Sequence, residues 1–252
     1  ANQDRKLTYA WPAGSDFSKP ASWRQVEIVQ AAGVRKAISL VDYDGQPAIA
    51  FSTTGDQFKL ATANSPRPAS WEDWTVSSIE NVQGRVLTGS LAIASGQPVV
   101  AFHDFAEDIL YLQTRSPDGS WIAQSPWSKT GRGSLVQMIQ GSPAMIFSSK
   151  TNQLFYLRAD DRGGNSWPKI SDPIAQSSAP AGYDSCGASF AEMGTGVAVV
   201  SNDYLAGKLH FAWTADPSGT SGWSKTAIFP ANQPELRLYA PLLVMVGNRP
   251  LV

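Results

Sequence analysis

The chain has 252 residues, 42% of them hydrophobic and only 16% charged, with 20 Lys and Arg set against 21 Asp and Glu. That is enough apolar material for a substantial core and too little charge for a disordered chain. The near-neutral balance leaves no broad cationic surface for nucleic acid or anionic lipid, no apolar run approaches a membrane span, and one cysteine, Cys186, excludes an intrachain disulfide.

Taken in chain order, the sequence cycles through the same few elements. An alternating run, Leu7-Thr-Tyr9-Ala-Trp11, is followed by Ser22-Trp23. An apolar run, Ala37 to Val41, then reaches Gly45-Gln46-Pro47 and the β-rich Ala48-Ile-Ala-Phe51. The cycle continues with Phe58-Lys-Leu60, Ser70-Trp71, Ser90 to Ile93, Gly96-Gln97-Pro98 and Val99 to Phe102. Ile109-Leu-Tyr111, Ser120-Trp121 and Gly141-Ser142-Pro143 carry it on, then Leu154-Phe-Tyr156, Ser166-Trp167 and Gly194-Thr195-Gly196. Leu209-His-Phe211-Ala-Trp213, Gly222-Trp223 and Gly247 to Pro250 close it. The paired tryptophans are separated by 48, 50, 46 and 56 residues. Three markers in one fixed order are the signature of a repeat architecture.

Each unit reads as four strands: an apolar strand a, a Gly-x-Pro turn into strand b, the alternating strand c, and a strand d opened by the Trp. Period-two alternation punctuated by Gly, Pro, Asn and Asp is the pattern of short strands, and helical patterning is absent. The C-terminus stops within a strand b and the N-terminus begins just before a strand c. Joining Val252 to Ala1 would space the strand-c runs by 50 residues, like the internal units. The sequence therefore predicts an all-β, five-bladed β-propeller with four antiparallel strands per blade, one domain over residues 1–252. Its N- and C-terminal strands would close one shared blade and remove open sheet edges. The competing arrangement is a segment of a longer array. The start at Ala1 rather than Met fits a processed product, and the expected location is secreted or at the cell surface.

The order Gly-x-Pro-Ala-Ile-Ala-Phe, Leu-x-Tyr, Asp-x-x-Gly-x-Ser-Trp resembles bacterial sialidase-like propeller repeats of the Asp-box type over essentially the whole chain. The segments Ser116-Pro-Asp118-Gly119-Ser-Trp121, Asp161 to Trp167 and Asp216 to Trp223 are degenerate versions of that box. The first two units depart from it with Ser18-Lys-Pro-Ala-Ser-Trp23 and Ser65-Pro-Arg-Pro-Ala-Ser-Trp71. The resemblance implies a fold, with the box as a turn away from the active face. The repeat length is also similar to that of fungal fucose-binding lectins and five-bladed horseshoe-crab lectins, without a shared sugar-contact motif.

In a propeller the d–a and b–c connections emerge on one face around the channel. Arg35, Arg85, Arg132 and Arg237 recur in the d–a segments, and the fifth unit offers Tyr183 and Asp184 instead. Converging guanidinium groups would bind carboxylate, sulfate or phosphate; alternatively each covers apolar surface or pairs with a neighbouring carboxylate. The b–c connections bring His103 and Asp104, and Asn202 and Asp203, which serve either as ligand contacts or as polar turn residues. A calcium site from Asp104, Glu107 and Asp108 matches no established loop, so no metal or cofactor is expected. Trp11 and Trp213 hold the same strand-c position in adjacent blades, where indoles either stack on a sugar or fill the interblade core. The Trp at each d strand reads as structural, and Cys186 as a small buried group.

These residues point to a non-catalytic, lectin-like propeller that binds a carbohydrate or another small anionic ligand. The alternatives are a glycoside hydrolase or lyase, drawing paired carboxyls from Asp42, Asp104, Glu107, Asp184 and Asp203, and a propeller that binds protein.

Overall fold

The computed structural model describes residues 6–14, 16, 18–29, 33–55, 57–79, 86–104, 109–124, 131–149, 151–168, 172–176, 187–203, 208–229, 241–247 and 249–252, with the side chains of 29, 36–38, 87, 88, 132 and 229 aside. The described residues form strands and two short 3-10 turns, Pro20–Ser22 and Trp71–Asp73. None of their helices is long and apolar enough to cross a membrane.

Strands β1 (Leu7–Pro12) and β2 (Trp23–Val29) form a two-stranded ladder. Four antiparallel meanders follow. They are β3 (Val34–Tyr43), β4 (Gln46–Thr53), β5 (Phe58–Ala63) and β6 (Trp74–Ser78); then β7 (Val86–Ala94), β8 (Gln97–Asp104), β9 (Ile109–Arg115) and β10 (Trp121–Gln124). Next come β11 (Arg132–Ile139), β12 (Ser142–Ser148), β13 (Gln153–Arg158) and β14 (Ala175–Gln176); then β15 (Ala188–Met193), β16 (Gly196–Asp203), β17 (Lys208–Thr214) and β18 (Ser224–Phe229). The chain ends with the two-stranded β19 (Val244–Val246) and β20 (Arg249–Leu251).

The Gly-x-Pro marker sits where the a–b hairpin needs it. Asp44-Gly45, Ser95-Gly96 and Gln140-Gly141 all have positive φ at both positions, 55° and 75°, 50° and 75°, and 48° and 73°. Two-residue loops of that hand match the twist of the flanking strands, and glycine takes the second place without a Cβ clash. The second strand of each meander is apolar in both phases. The burial of β4, β8 and β12 runs nearly unbroken, because neighbours cover both faces.

The contacts divide the chain into two compact units, Ala1–Leu87 with Asp104–Glu107, and Thr88–His103 with Asp108–Val252. In the first, Leu7, Val26 and Ile28 pack on Ile49, Phe51, Ala61, Ala63 and Trp74. In the second, Val99, Ala101, Leu110 and Leu112 meet Val136, Met145 and Phe147. The opposite face of the same β11–β14 sheet gives Ile139, Ala144, Ile146, Leu154 and Tyr156 to Phe190, Val197 and Val199. Ala198, Val200 and Leu209 then join Leu243. Alternating residues of β12 thus serve two cores, and each fully buried Phe or Met contributes about 1.5–3 kcal/mol.

The c–d connections depart from the expected pattern. Only β2 and β10 open on the marker Trp; β6 opens on Trp74, and Trp71 lies in a 3-10 turn. Trp23 and Trp71 are 42% and 52% exposed, so they do not fill a core. Trp167 and Trp223 instead fold back on their own turns, each Nε1–H donating at 2.8 Å, to the Gly164 and Gly219 carbonyls. Those turns are anchored by carboxylates. Asp161 accepts from the N–H of Gly163, Asn165 and Ser166. Asp216 accepts from the N–H and hydroxyl of Ser218 and from the Thr220 hydroxyl, and Asp118 accepts from the N–H and hydroxyl of Ser120. Asp16 makes the same contacts with Ser18, although its sequence context hides it. Asp73 reaches back instead, to the N–H of Ala69 and Ser70.

Strand c also needs a correction. Tyr111 stacks on Phe102 (5.2 Å) as Phe155 stacks on Phe147 (5.4 Å), so Tyr111 is equivalent to Phe155 rather than to Tyr156. Tyr156 faces the other way, buried against Phe190, with its hydroxyl donating to the Pro217 carbonyl at 2.8 Å. Burial pushes that phenol well above its ordinary range.

Candidate functional site

Among the expected axial residues, Arg85, Arg237, Tyr183 and Asp184 lie outside the described residues, as do Glu107, Asp108 and Cys186. Arg35 and the backbone of Arg132 are described, and their registers differ. Arg132 pairs with Ser148, whereas the residue opposite the corresponding Ser52 is Lys36, and Arg35 falls within a bulge between Val34 and Lys36. A bulge re-aims its extra residue. The convergence of the four guanidinium groups therefore rests on residues beyond those described.

His103, Asp104, Asn202 and Asp203 are strand ends, not loop residues. They terminate β8 and β16 and are 1%, 0%, 5% and 7% exposed. Ser52 and Thr53 on β4 and Ser148 on β12 occupy the matching ends and are equally buried. Each central strand thus finishes its apolar run with polar residues inside the protein. Buried polar groups need partners, and His103, Asp104, Asn202 and Asp203 each have an interaction. As ligand contacts they would have to be reached from the strand end. Among the described residues there is no cluster of three or more His, Cys, Asp and Glu that would hold a metal ion.

The two strand-c tryptophans have different surroundings. Trp213 is 41% exposed and pairs with Ala198 and Ser224. Trp11 is half-buried and stacks on Tyr9, with ring centroids 5.6 Å apart and planes at 17°. Tyr9 in turn meets Trp74 edge-on at 5.4 Å. Partial burial raises the Tyr9 pKa.

Beside this aromatic row, in the same compact unit, lies an open groove of about 290 Å³ lined by Tyr9, Leu40, Val41, Asp42, Gly45, Gln46, Pro47 and Pro66. The a–b hairpin positions its polar rim: Asp42 Oδ1 accepts the Gly45 N–H at 2.8 Å, which fixes the carboxylate beside Gln46. A half-exposed aromatic face, a fixed carboxylate and an amide are the complement of a sugar ring, which has an apolar face and hydroxyl edges. The spacing of Trp11 pointed to part of this row. Tyr9, Asp42 and Gln46 were not expected as a set, because Tyr9 sits on one sheet and Asp42 and Gln46 on another, and the turn signal masked the groove.

Neither protein-family profiles nor curated proteins give a match to this chain. Solved structures do. A fungal lectin from Aleuria aurantia, described as a six-bladed β-propeller with a novel fucose recognition mode, superposes with a TM-score of 0.57 at 14% identity, over 88% of this chain and 71% of that one. AofleA from Arthrobotrys oligospora gives 0.54 at 12% identity, over 88% of this chain. This chain matches 60% of the length of AofleA. An α-L-arabinofuranosidase from Lactobacillus brevis gives 0.53 at 12% identity, over 84% of this chain and 79% of that one. At these identities the likeness is one of fold, all-β and propeller-like.

Proposed function

We propose that residues 1–252 form one five-bladed propeller that binds carbohydrate without turning it over. The blade count draws support from the strands: among the described residues there are twenty, in four meanders of four and two ladders of two. The a–b hairpin of β19–β20 and the c–d ladder of β1–β2 are the two halves that a shared fifth blade requires.

The observation that carries the sugar-binding reading is the stacked Tyr9–Trp11 pair beside the Asp42–Gln46 groove. The Aleuria aurantia lectin among the neighbours, described as fucose-specific, agrees with it. In the same reading Arg35, Arg85, Arg132 and Arg237, with Tyr183 and Asp184, give a second face suited to anionic glycans. His103, Asp104, Asn202 and Asp203 support it from the strand ends, and Trp213 repeats the Trp11 position.

A glycan array, followed by titration calorimetry with the best hit, tests this. Trp11→Ala is expected to weaken binding by at least about tenfold, equivalent to roughly 1.4 kcal/mol, with chromogenic glycosides left intact. Turnover of those glycosides, abolished by Asp104→Asn or Asp42→Asn, would replace the lectin reading with the hydrolase. Binding that ignores both Trp11→Ala and Arg35→Ala would remove both proposed faces.

A further inference from the structure

A second cavity, of about 230 Å³, opens in the other compact unit between the β11–β14 and β15–β18 sheets. Its chemistry is different. One wall is Leu154, Ile174 and Ala175, held together because Leu154 pairs with Ala175 and its carbonyl accepts the Ile174 N–H at 2.8 Å. The other wall is one face of the facing sheet. Val199 lies opposite Ala212, which lies opposite Lys225, and Ser201 lies opposite His210. Side chains directly across an antiparallel ladder share a face, so these five line the cavity together. Phe211 alternates to the far face and packs with the Ala198–Val200 cluster, leaving only its inner edge to the cavity.

The core between these sheets is solid from Ile139 to Val199 and stops there. Beyond Val199 the apolar wall continues, but small residues, Ala175, Ser201 and Ala212, replace large ones. The bulge opposite Leu209–His210 falls on β18, where Ile228 is the extra residue, while His210 on β17 stays across from Ser201 with its imidazole on the cavity face. The polar groups of the lining are therefore a hydroxyl, an imidazole and an exposed ammonium, with no carboxylate among them. The ion pairs recorded among the described residues involve neither His210 nor Lys225.

We propose that this cavity is a binding site for a small carboxylate carried on a flat apolar ring. Two sheet faces packed about 10 Å apart accept a flat body, and the volume lies below the roughly 300 Å³ at which drug-sized pockets begin, so one ring fits. The ring would lie between Leu154, Ile174 and Val199, with its carboxylate at Lys225 and His210 and within reach of the Ser201 hydroxyl. Charge-assisted hydrogen bonds of that kind are the strong ones. The site is independent of the Tyr9 groove, and either can fail alone.

Benzoate is the probe, with benzyl alcohol and acetate as controls, titrated into the whole chain by calorimetry. Saturable benzoate binding is expected below about 10 mM, at least about tenfold tighter than either control. Lys225→Glu, at an exposed position where substitutions seldom disturb folding, is expected to abolish it, and Ala212→Phe to block it by filling the cavity. Benzoate binding no tighter than acetate would reduce the site to an exposed lysine and overturn the proposal. So would the absence of saturation, or binding that survives Lys225→Glu. If Ala212→Phe fails to fold, Ser201→Ala removes the hydroxyl at nearly constant volume and is expected to weaken benzoate; an unchanged affinity would count against the placement.

Discussion

The c–d connections of the two compact units carry nearly the same short signature, a small residue before Trp, and build different structures from it. In the first unit the chain takes 3-10 turns at Pro20–Ser22 and Trp71–Asp73, and the indoles of Trp23 and Trp71 stay largely in solvent. In the second, Asp161 and Asp216 gather the N–H and hydroxyl groups of the following residues, and Trp167 and Trp223 lie against the turns they close. The difference lies upstream of the Trp. Pro20 and Pro68, three residues before the Trp, restrict the backbone where the second unit has Gly164, and Gly219 lies one residue further from Trp223; both glycines enter the left-handed region, at φ of 74° and 67°. With that turn Asp161 gathers three N–H groups, whereas Asp16 in the first unit takes, among the described residues, only that of Ser18. The Trp marks the repeat length, and the residues before it decide what the Trp does.

The largest effect expected from this contrast is at Gly219. A Cβ there would sit 2.2 Å from Tyr156 Cδ1, on a backbone that side chains rarely adopt. Gly219→Ala is expected to cost more than about 3 kcal/mol and to lower the melting temperature by on the order of 6–12 °C. Gly14→Ala, in a connection of the first unit, meets Ser22 Oγ at 3.5 Å, an ordinary contact, and is expected to melt within a degree or two of the parent. Equal melting temperatures for the two variants would erase the distinction.

A smaller effect is expected at Asp161, whose loss strands several turn N–H groups. Asp161→Ala should cost about 1–2 kcal/mol by denaturant titration at neutral pH. Burial raises this carboxyl, but the N–H groups of Asn165, Ser166 and Gly163 outweigh it and hold the folded pKa below the ordinary value. The stability that this supplies is present above the usual carboxylate pKa of about 3.9 and is lost as pH falls through the lowered folded value. The gap between parent and variant should therefore close on acidification below about pH 4; a gap that widened would mean that the turn is held by something else. Smallest of all is Trp71→Ser, expected within about 0.5 kcal/mol of the parent in the same titration. A larger loss would show that the exposed indole has a structural duty after all.

The four-strand repeat was legible because the a–b hairpin is a local matter: two positive-φ residues, the second glycine, then a strand apolar in both phases. What depended on register was not. Ile109-Leu-Tyr111 and Leu154-Phe-Tyr156 look alike, yet one residue of slip turns Tyr111 to the face of Phe155, and nothing in the string reveals it. The polar pairs ending β8 and β16 read as turn residues because Ser, Asn, Asp and His are common there; only the sheet shows that they are buried. The groove beside Tyr9 is half visible through Trp11, while Gln46 belongs to the turn signal and Asp42 stands only among the carboxyls of the hydrolase alternative. The Leu154–Lys225 cavity left no local mark at all. It arises where small side chains on two facing sheets coincide, and sequence distance hides such coincidences.

The sheet β11–β14 gives one face to each of two cores. Its amide protons cannot exchange by fraying at one side, since opening it unseals the packing on both and drags the neighbouring sheets with it. It acts as the hub of cooperative unfolding in its unit. By contrast the short ladder β19–β20 leaves Val244, Val246 and Leu251 in solvent and opens at lower cost.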